Sequence, residues 1–276
     1  NWLHLPSYAL GDALINSKDY RHLYDTLFKP KQGRFKNIPS RIIVRADGTR
    51  RSQFSKNEIL NLYVTIISND RQEIIDFINF LPEWSRFHFF KNYSFRFHSS
   101  YLLNPVSNEF EPSKQSAIEP LDYQFFNKRL AKWKDALEIR FLTPTSYVKD
   151  QLLTDDVSYD ELIKRVRNRV LNLYFSFLAP TEAIEETSDS DTETNAVTLL
   201  NGVSFPTQMI IKKKKYNLSG LKGFVCYSVP YSYEDDYLLT LAHYIHVGNN
   251  TVRGNGQIEA IACKNSLFAK YIDELR

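Results

Sequence analysis

The stretch HYIHVGNNTVRGNGQIEAI, residues 243–261, holds Gly248, Gly254 and Gly256, three of the nine glycines in a chain of 276 residues. Glycine serves where the backbone takes positive φ or approaches another group closely, so the spacing suggests a loop lined by backbone. Asn249, Asn250, Thr251 and Asn255 add donors, Arg253 adds a cation inside the loop, and Lys212, Lys213, Lys214 and Lys215 lie shortly upstream. Amides, hydroxyls and ammonium groups together suit a polyanion, and phosphate is the commonest guest of such a loop. The glycines alone fit a tight helix-to-strand connection equally well. No Gly-Lys-Ser/Thr follows, and the run comes after a helix and leads into a strand, which excludes a Walker loop and a dinucleotide fingerprint.

His243 and His246 stand at the entrance of this loop, three positions apart. His246 suits either a phosphate contact or a C-terminal helix cap, where positive charge is favoured. With no third ligand nearby, the pair does not read as a metal site. Cys226 and Cys263 are too few for a disulfide framework and lack zinc spacing, so neither a metal nor a cofactor is expected. His88 and His98 fall in an alternating stretch and read as structural. The four lysines follow Ile210-Ile211, and on one strand successive side chains point to opposite faces, so two could reach the same backbone of a bound polyanion. A solvated edge strand protected by lysines is the competing reading.

The net charge of +3 hides an asymmetry. Glu182, Glu185, Glu186, Asp189, Asp191 and Glu193 fall in a Ser/Thr-rich run without a basic residue, which reads as a flexible acidic loop over residues 180–196 on a more basic body. No apolar run approaches the roughly 20 residues that span a bilayer, and nothing at the amino end reads as a signal peptide. With only two cysteines, a soluble, cytoplasmic chain is expected.

Several elements must hold the loop. Residues 8–28 have mostly helical spacing, Ser40–Ala46 and Glu58–Ser68 read as strands, and Asp70–Leu81 as a helix ending at Pro82. Arg86–Leu103 alternates as a hairpin or long bent strand would, with Phe87, Phe89, Phe95 and Phe97 along it. Further on, Ala136–Leu142 reads as a strand stopping at Thr143-Pro144, and Ser158–Phe177 as a helix. Thr207–Tyr216 and Gly223–Val229 follow as strands, Tyr233–His246 as a helix and Gln257–Cys263 as the closing strand. The order in the second half is β-α-β-β-α-β. The first half matches it if one more strand lies upstream of Asn1, and the fold class expected is α+β, two tandem ferredoxin-like (RRM-like) domains, 1–132 and 133–276. The RNA motif of a true RRM is missing.

The helix leading into HVGNNTVRGNG, the strand end Phe141-Leu142-Thr143-Pro144 and the turn Leu218-Ser219-Gly220-Leu221-Lys222-Gly223 resemble the RAMP superfamily of CRISPR-associated proteins. Within it the resemblance is to the precursor-CRISPR-RNA processing endoribonucleases. It covers most of the carboxyl-terminal half, and Leu5 to Phe28 resembles the family's first helix more loosely. Asn249-Asn250 depart from it, since a lysine is commoner there. The resemblance implies metal-independent cleavage within a CRISPR repeat RNA: a 2′-hydroxyl attacks the adjacent phosphate, leaving a 2′,3′-cyclic phosphate and a 5′-hydroxyl. Such chemistry needs a base, a proton donor and a cation beside the phosphorane. A histidine, with a pKa of about 6.5, suits either proton role.

His22 lies near where the family often keeps its catalytic histidine, and Tyr8, Lys18 and His246 are further candidates. Lys29, Lys212 to Lys215, Gly248, Asn249, Asn250, Arg253, Gly254 and Gly256 are the candidate RNA contacts. The implied partners are CRISPR repeat RNA or crRNA, subunits of CRISPR effector or adaptation assemblies, and reverse transcriptase or integrase domains fused to the chain. A non-cleaving crRNA-binding module is the alternative to an enzyme.

Overall fold

Alternation with a period of two builds the best-defined part of the molecule. Along Ala136–Thr145 (β7), Leu137, Ile139 and Phe141 are buried, whereas Glu138 and Arg140 point to the other face. The computed structural model describes residues 3–4, 41–46, 53–54, 58–59, 61–84, 96–113, 118–134, 136–149, 152–154, 158–178, 198–205, 208–211, 214–217, 220–249, 251 and 254–263. The chain divides into two units, residues 1–128 with 173–180, and residues 129–172 with 181–276.

In the second unit β7 is central. It pairs antiparallel with Gly220–Ser228 (β13) on one side and Ile258–Ala262 (β14) on the other, and Thr198–Phe205 (β10) adds to the far side of β13. With the helices Tyr159–Leu173 (α3) and Tyr233–Ile245 (α4), the chain order is β7-α3-β10-β13-α4-β14 and the sheet order is β10-β13-β7-β14. That is the β-α-β-β-α-β ferredoxin-like unit expected from the sequence.

Both helices cover one face of the sheet. Leu162, Ile163 and Val166 of α3 and Leu238, Leu239 and Ala242 of α4 pack with Leu137, Ile139, Phe141, Val225, Tyr227 and Ile258 in one core. Ser232 caps α4 by accepting from the Asp235 N–H, and Glu234, Asp235 and Asp236 complement the positive end of the helix. Asp236 is fully buried and accepts the backbone N–H groups of Ala131 (2.9 Å) and Lys132 (2.8 Å). This bond fixes the chain entering β7, since Lys132 takes φ 52° and its backbone is held from the helix side.

Three expectations are corrected here. The second strand of the sheet is β10, not Thr207–Tyr216. Within that stretch the chain forms a separate hairpin, Gln208–Ile211 (β11) against Lys214–Asn217 (β12), with Ile211 opposite Lys214. Four consecutive lysines conceal the reversal, because they carry no Gly, Asn or Pro to mark a turn. Next, β7 runs through Pro144 to Thr145. The register between β7 and β13 shifts between Leu221 and Gly223, so the proline, which lacks an N–H, falls where the ladder is already irregular. The helix expected to reach Phe177 is α-helical only to Leu173 and continues as a π-helical turn over Tyr174–Leu178.

In the first unit, Ile42–Ala46 (β2) pairs antiparallel with Leu62–Ile66 (β4), followed by the helix Arg71–Trp84 (α1). That helix continues past Pro82, where the sequence reading ended it. So near the last turn a proline removes only one intrahelical bond. Arg41 grips Glu73 with two bonds of 2.8 and 3.0 Å and lies over the Phe177 ring. The chain also holds a strand at its amino end, Leu3–His4 (β1), paired with Gln53–Phe54 (β3), where the sequence reading looked for one upstream of Asn1. Among the described residues of the alternating stretch 86–103, strand is found at Tyr101–Leu103 (β5), which pairs with Phe110–Pro112 (β6). Residues 96–100 lie outside any strand, and His98 is exposed, so it is not the structural strand residue expected. His88 lies outside the described residues, as do the helix expected over 8–28 and the acidic segment 182–193.

Candidate nucleic-acid interface

The glycine-rich loop joins α4 to β14 and is folded against the carboxyl end of β7. A helix that must turn back at once into a central position of the sheet needs backbone in the left-handed region. His246 (φ 55°), Gly248 (89°), Gly254 (81°) and Gly256 (79°) supply it. Two of these glycines also sit where no side chain fits. A Cβ on Gly248 would stand 2.4 Å from the Ser146 carbonyl oxygen, and one on Gly256 1.8 Å from that of Val247.

Backbone bonds tie the loop to itself and to β7. The Val247 N–H donates to Gly256 (2.8 Å), Gly256 to Pro144 (3.0 Å), Asn249 to Ser146 (2.8 Å) and Gly254 to Thr251 (2.9 Å). The Gln257 N–H donates to the Thr143 hydroxyl (2.8 Å), whose own backbone receives the Thr145 hydroxyl. Burial is correspondingly high: His246, Val247, Thr251, Asn255 and Gln257 are all buried. The sequence suggested a backbone-lined concavity. Among the described residues the loop is instead closed on backbone carbonyls, its own and those of Pro144 and Ser146, because the donors that a phosphate would need at Val247, Gly254 and Gly256 already serve the fold.

The two histidines hold this closure. His246 is buried and its Nδ1 lies 2.9 Å from the Asn255 carbonyl oxygen, so that nitrogen carries the proton and donates across the loop. His243 does the same one turn earlier, with Nδ1 2.9 Å from the carbonyl of Ile258. Arg169 on α3 is half-buried and donates to the carbonyl of Ile245 at 3.3 Å, placing a cation at the carboxyl end of α4. Burial lowers its pKa to about 10, which leaves it charged at neutral pH.

The outward edge is Gly248, which is exposed, and half-buried Asn249. Gly254 and Gly256 lie inside. Lys214 and Lys215 stand on β12, opposite Ile211 and Ile210. Asn250, Arg253, Lys212, Lys213, Tyr8, Lys18, His22 and Lys29 fall outside the described residues. Sequence reasoning missed Arg169 and Thr143, whose roles depend on α3 and β7 lying beside the loop. It also missed a group on the opposite face of the sheet, where Glu138, Cys226 and Cys263 bring their ligand atoms within 4.8 Å of one another.

A ferredoxin-like unit whose closing turn is a glycine-rich loop on the first strand is the arrangement that the RAMP resemblance implies, and comparison with known proteins agrees with it. Residues 139–258, from within β7 to the first residue of β14, match the family model described as CRISPR-associated endoribonuclease Cas6. The chain is thus similar to the Cas6 processing endoribonucleases. Among solved structures it is similar to a Cas6 (TTHB231) product complex, with 12% identity over 94% of each chain and a TM-score of 0.53. It is also similar to a partial Cas6-RT-Cas1–Cas2 complex, with 13% identity, 92% of this chain, 42% of that chain and a TM-score of 0.50. At such identities the likeness is one of fold, and the chain has the tandem ferredoxin-like fold of Cas6. No curated protein matches the sequence. Among the described residues, no helix is long and apolar enough to cross a membrane.

Proposed function

We propose that this chain is a metal-independent endoribonuclease that cuts CRISPR repeat RNA through 2′-hydroxyl attack, leaving 2′,3′-cyclic phosphate and 5′-hydroxyl ends. The observation that carries this reading is the match to the Cas6 family model across residues 139–258, which runs from within β7 through both helices and the glycine-rich loop to the first residue of β14. A Cas6 relative with the same fold is described as a product complex, consistent with an RNA substrate here.

The roles divide as follows. The closed loop sets the position of its outer edge, so Gly248, Asn249, Asn250 and Arg253 meet the RNA while His246 and Gly256 maintain the backbone behind them. Lys212 to Lys215 supply charge to the phosphates from the β11–β12 hairpin, and Lys29 adds to it from the amino-terminal half. His22 is the proposed proton-transfer group, assisted by Tyr8 and Lys18, in an amino-terminal domain of residues 1–132. The site of action is the cytoplasm.

Replacing His22 tests the assignment. His22→Ala is expected to lower the single-turnover cleavage rate by about 100-fold or more, in line with the loss of a general acid or base, with RNA affinity little changed. Unaltered cleavage would remove His22 from the mechanism.

A second reading is a crRNA-binding module within an adaptation assembly. The likeness to a chain of a Cas6-RT-Cas1–Cas2 complex, of which this chain spans less than half, favours it. Tight binding of repeat RNA without cleavage by the wild-type chain would select that reading.

A further inference from the structure

We infer that Cys226, Cys263 and Glu138 form a binding site for one zinc-class divalent cation on the face of the second unit's sheet away from its helices. The cysteines are 37 positions apart in the chain. Strand pairing brings them together: Cys226 on β13 stands opposite Glu138 on β7, Ile261 on β14 stands opposite Glu138 from the other side, and Cys263 lies two residues further. Register partners share a face, as do residues two apart, so all three side chains project from the same side. Cys226 is buried and Cys263 half-buried, with Ala136 and Phe224 packed around them.

The sulfurs are 3.8 Å apart. Two thiolates at Zn–S distances of about 2.3 Å in a tetrahedral site stand about 3.8 Å from each other, so the pair already has the spacing a metal requires. A disulfide suits the backbone less well. β7 lies between the strands that carry the cysteines, and two strand spacings amount to roughly 9–10 Å, beyond the span of about 7 Å that a disulfide bridges without backbone movement.

Charge supports a cation as well. Once a metal displaces the two thiol protons, two thiolates and the carboxylate carry three negative charges, one of them offset by Arg140, whose Nε donates to Glu138 Oε1 at 2.5 Å. A divalent ion completes the balance, and the guanidinium orients the carboxylate as an outer partner does in metal sites. Sulfur donors select zinc over magnesium or calcium. Binding releases the two thiol protons to solvent, and water takes the fourth position. The bound ion ties β13, β7 and β14 together and so stabilises the sheet by an amount that grows with the logarithm of free metal above the dissociation constant. The inference is independent of the RNA chemistry proposed above.

The test is titration of the full chain, tag-free, reduced and metal-stripped, with Co2+ and then Zn2+. One equivalent of Co2+ should produce thiolate-to-cobalt charge-transfer absorption, and Zn2+ should abolish it. Cys226→Ser and Cys263→Ser should each weaken Co2+ binding at least tenfold and lower the band. Glu138→Gln, which leaves both sulfurs in place, should weaken binding about tenfold with the charge-transfer band retained at saturation. Glu259→Gln, a neighbour on the same face, should change affinity less than twofold. Circular dichroism identifies any variant that does not fold, and Glu138→Gln against Glu259→Gln then decides alone. Absence of the band in the wild type, equal binding by Cys226→Ser/Cys263→Ser, equal binding by Glu138→Gln, or a mass loss of two hydrogens showing a disulfide in the purified chain would overturn the site.

Discussion

Val247 and Gly256 face each other across the neck of the loop: the Val247 N–H donates to the Gly256 carbonyl at 2.8 Å, and a Cβ on Gly256 would stand 1.8 Å from the Val247 carbonyl oxygen. The contact is backbone against backbone, so no side-chain rotation can relieve it. Gly256→Ala adds this clash to a left-handed backbone, φ 79°, that alone costs on the order of 1–3 kcal/mol for a residue with a Cβ. The variant should lose at least that much stability in urea unfolding and bind repeat RNA more weakly. Wild-type stability would show that the neck opens freely.

His246 holds the same neck from the side. His246→Ala removes the bond to the Asn255 carbonyl and leaves that acceptor buried, a cost of about 1–3 kcal/mol. His246→Asn, which keeps a donor of similar reach, should recover part of it. If His246 were a proton-transfer group, cleavage by the folded His246→Asn chain would fall by about 100-fold. A structural role predicts a change below tenfold in the single-turnover rate.

How much of this was legible in sequence depends on how local each signal is. The strand-helix order of the second unit was readable because Leu137, Ile139 and Phe141 alternate, and because Leu162 and Val166 recur at helical spacing. The glycines announced a tight loop, and it is there. What they could not announce was that its amides close on the Pro144 and Ser146 carbonyls, since that depends on β7 lying beside it. The β11–β12 reversal carried no turn residue. Cys226, Glu138 and Cys263 share no linear spacing and meet only through register.

Asp236 should be intolerant of even a conservative change. Its two oxygens each accept a backbone N–H, from Ala131 and Lys132, and Asn can offer only one acceptor. Asp236→Asn should cost about 1–3 kcal/mol, measured by thermal or urea unfolding. A loss below a few tenths of a kcal/mol would mean that the entry to β7 is held by other contacts.

Asp235 gives a pH signature. Burial raises its pKa above the ordinary carboxylate value, although it accepts a bond of 2.8 Å from the Tyr159 hydroxyl. The folded state therefore holds the proton more tightly than the unfolded chain, and this group's contribution to stability falls as pH rises from about 4 through the raised pKa. The stability of the wild type relative to Asp235→Asn, which keeps an acceptor for Tyr159, should improve as pH is lowered from 7 towards 4. A difference that stays flat, or moves the other way, would mean that Asp235 is not desolvated in solution.

The most direct measurement is cleavage of the cognate repeat RNA in EDTA, beside a copy with a single 2′-deoxy sugar immediately upstream of the scissile phosphate, with the product ends identified. The expected result is cleavage of the unmodified RNA alone, to 2′,3′-cyclic phosphate and 5′-hydroxyl ends. Cutting of the deoxy copy, dependence on added magnesium, or binding without any cleavage would contradict a nuclease that uses the 2′-hydroxyl.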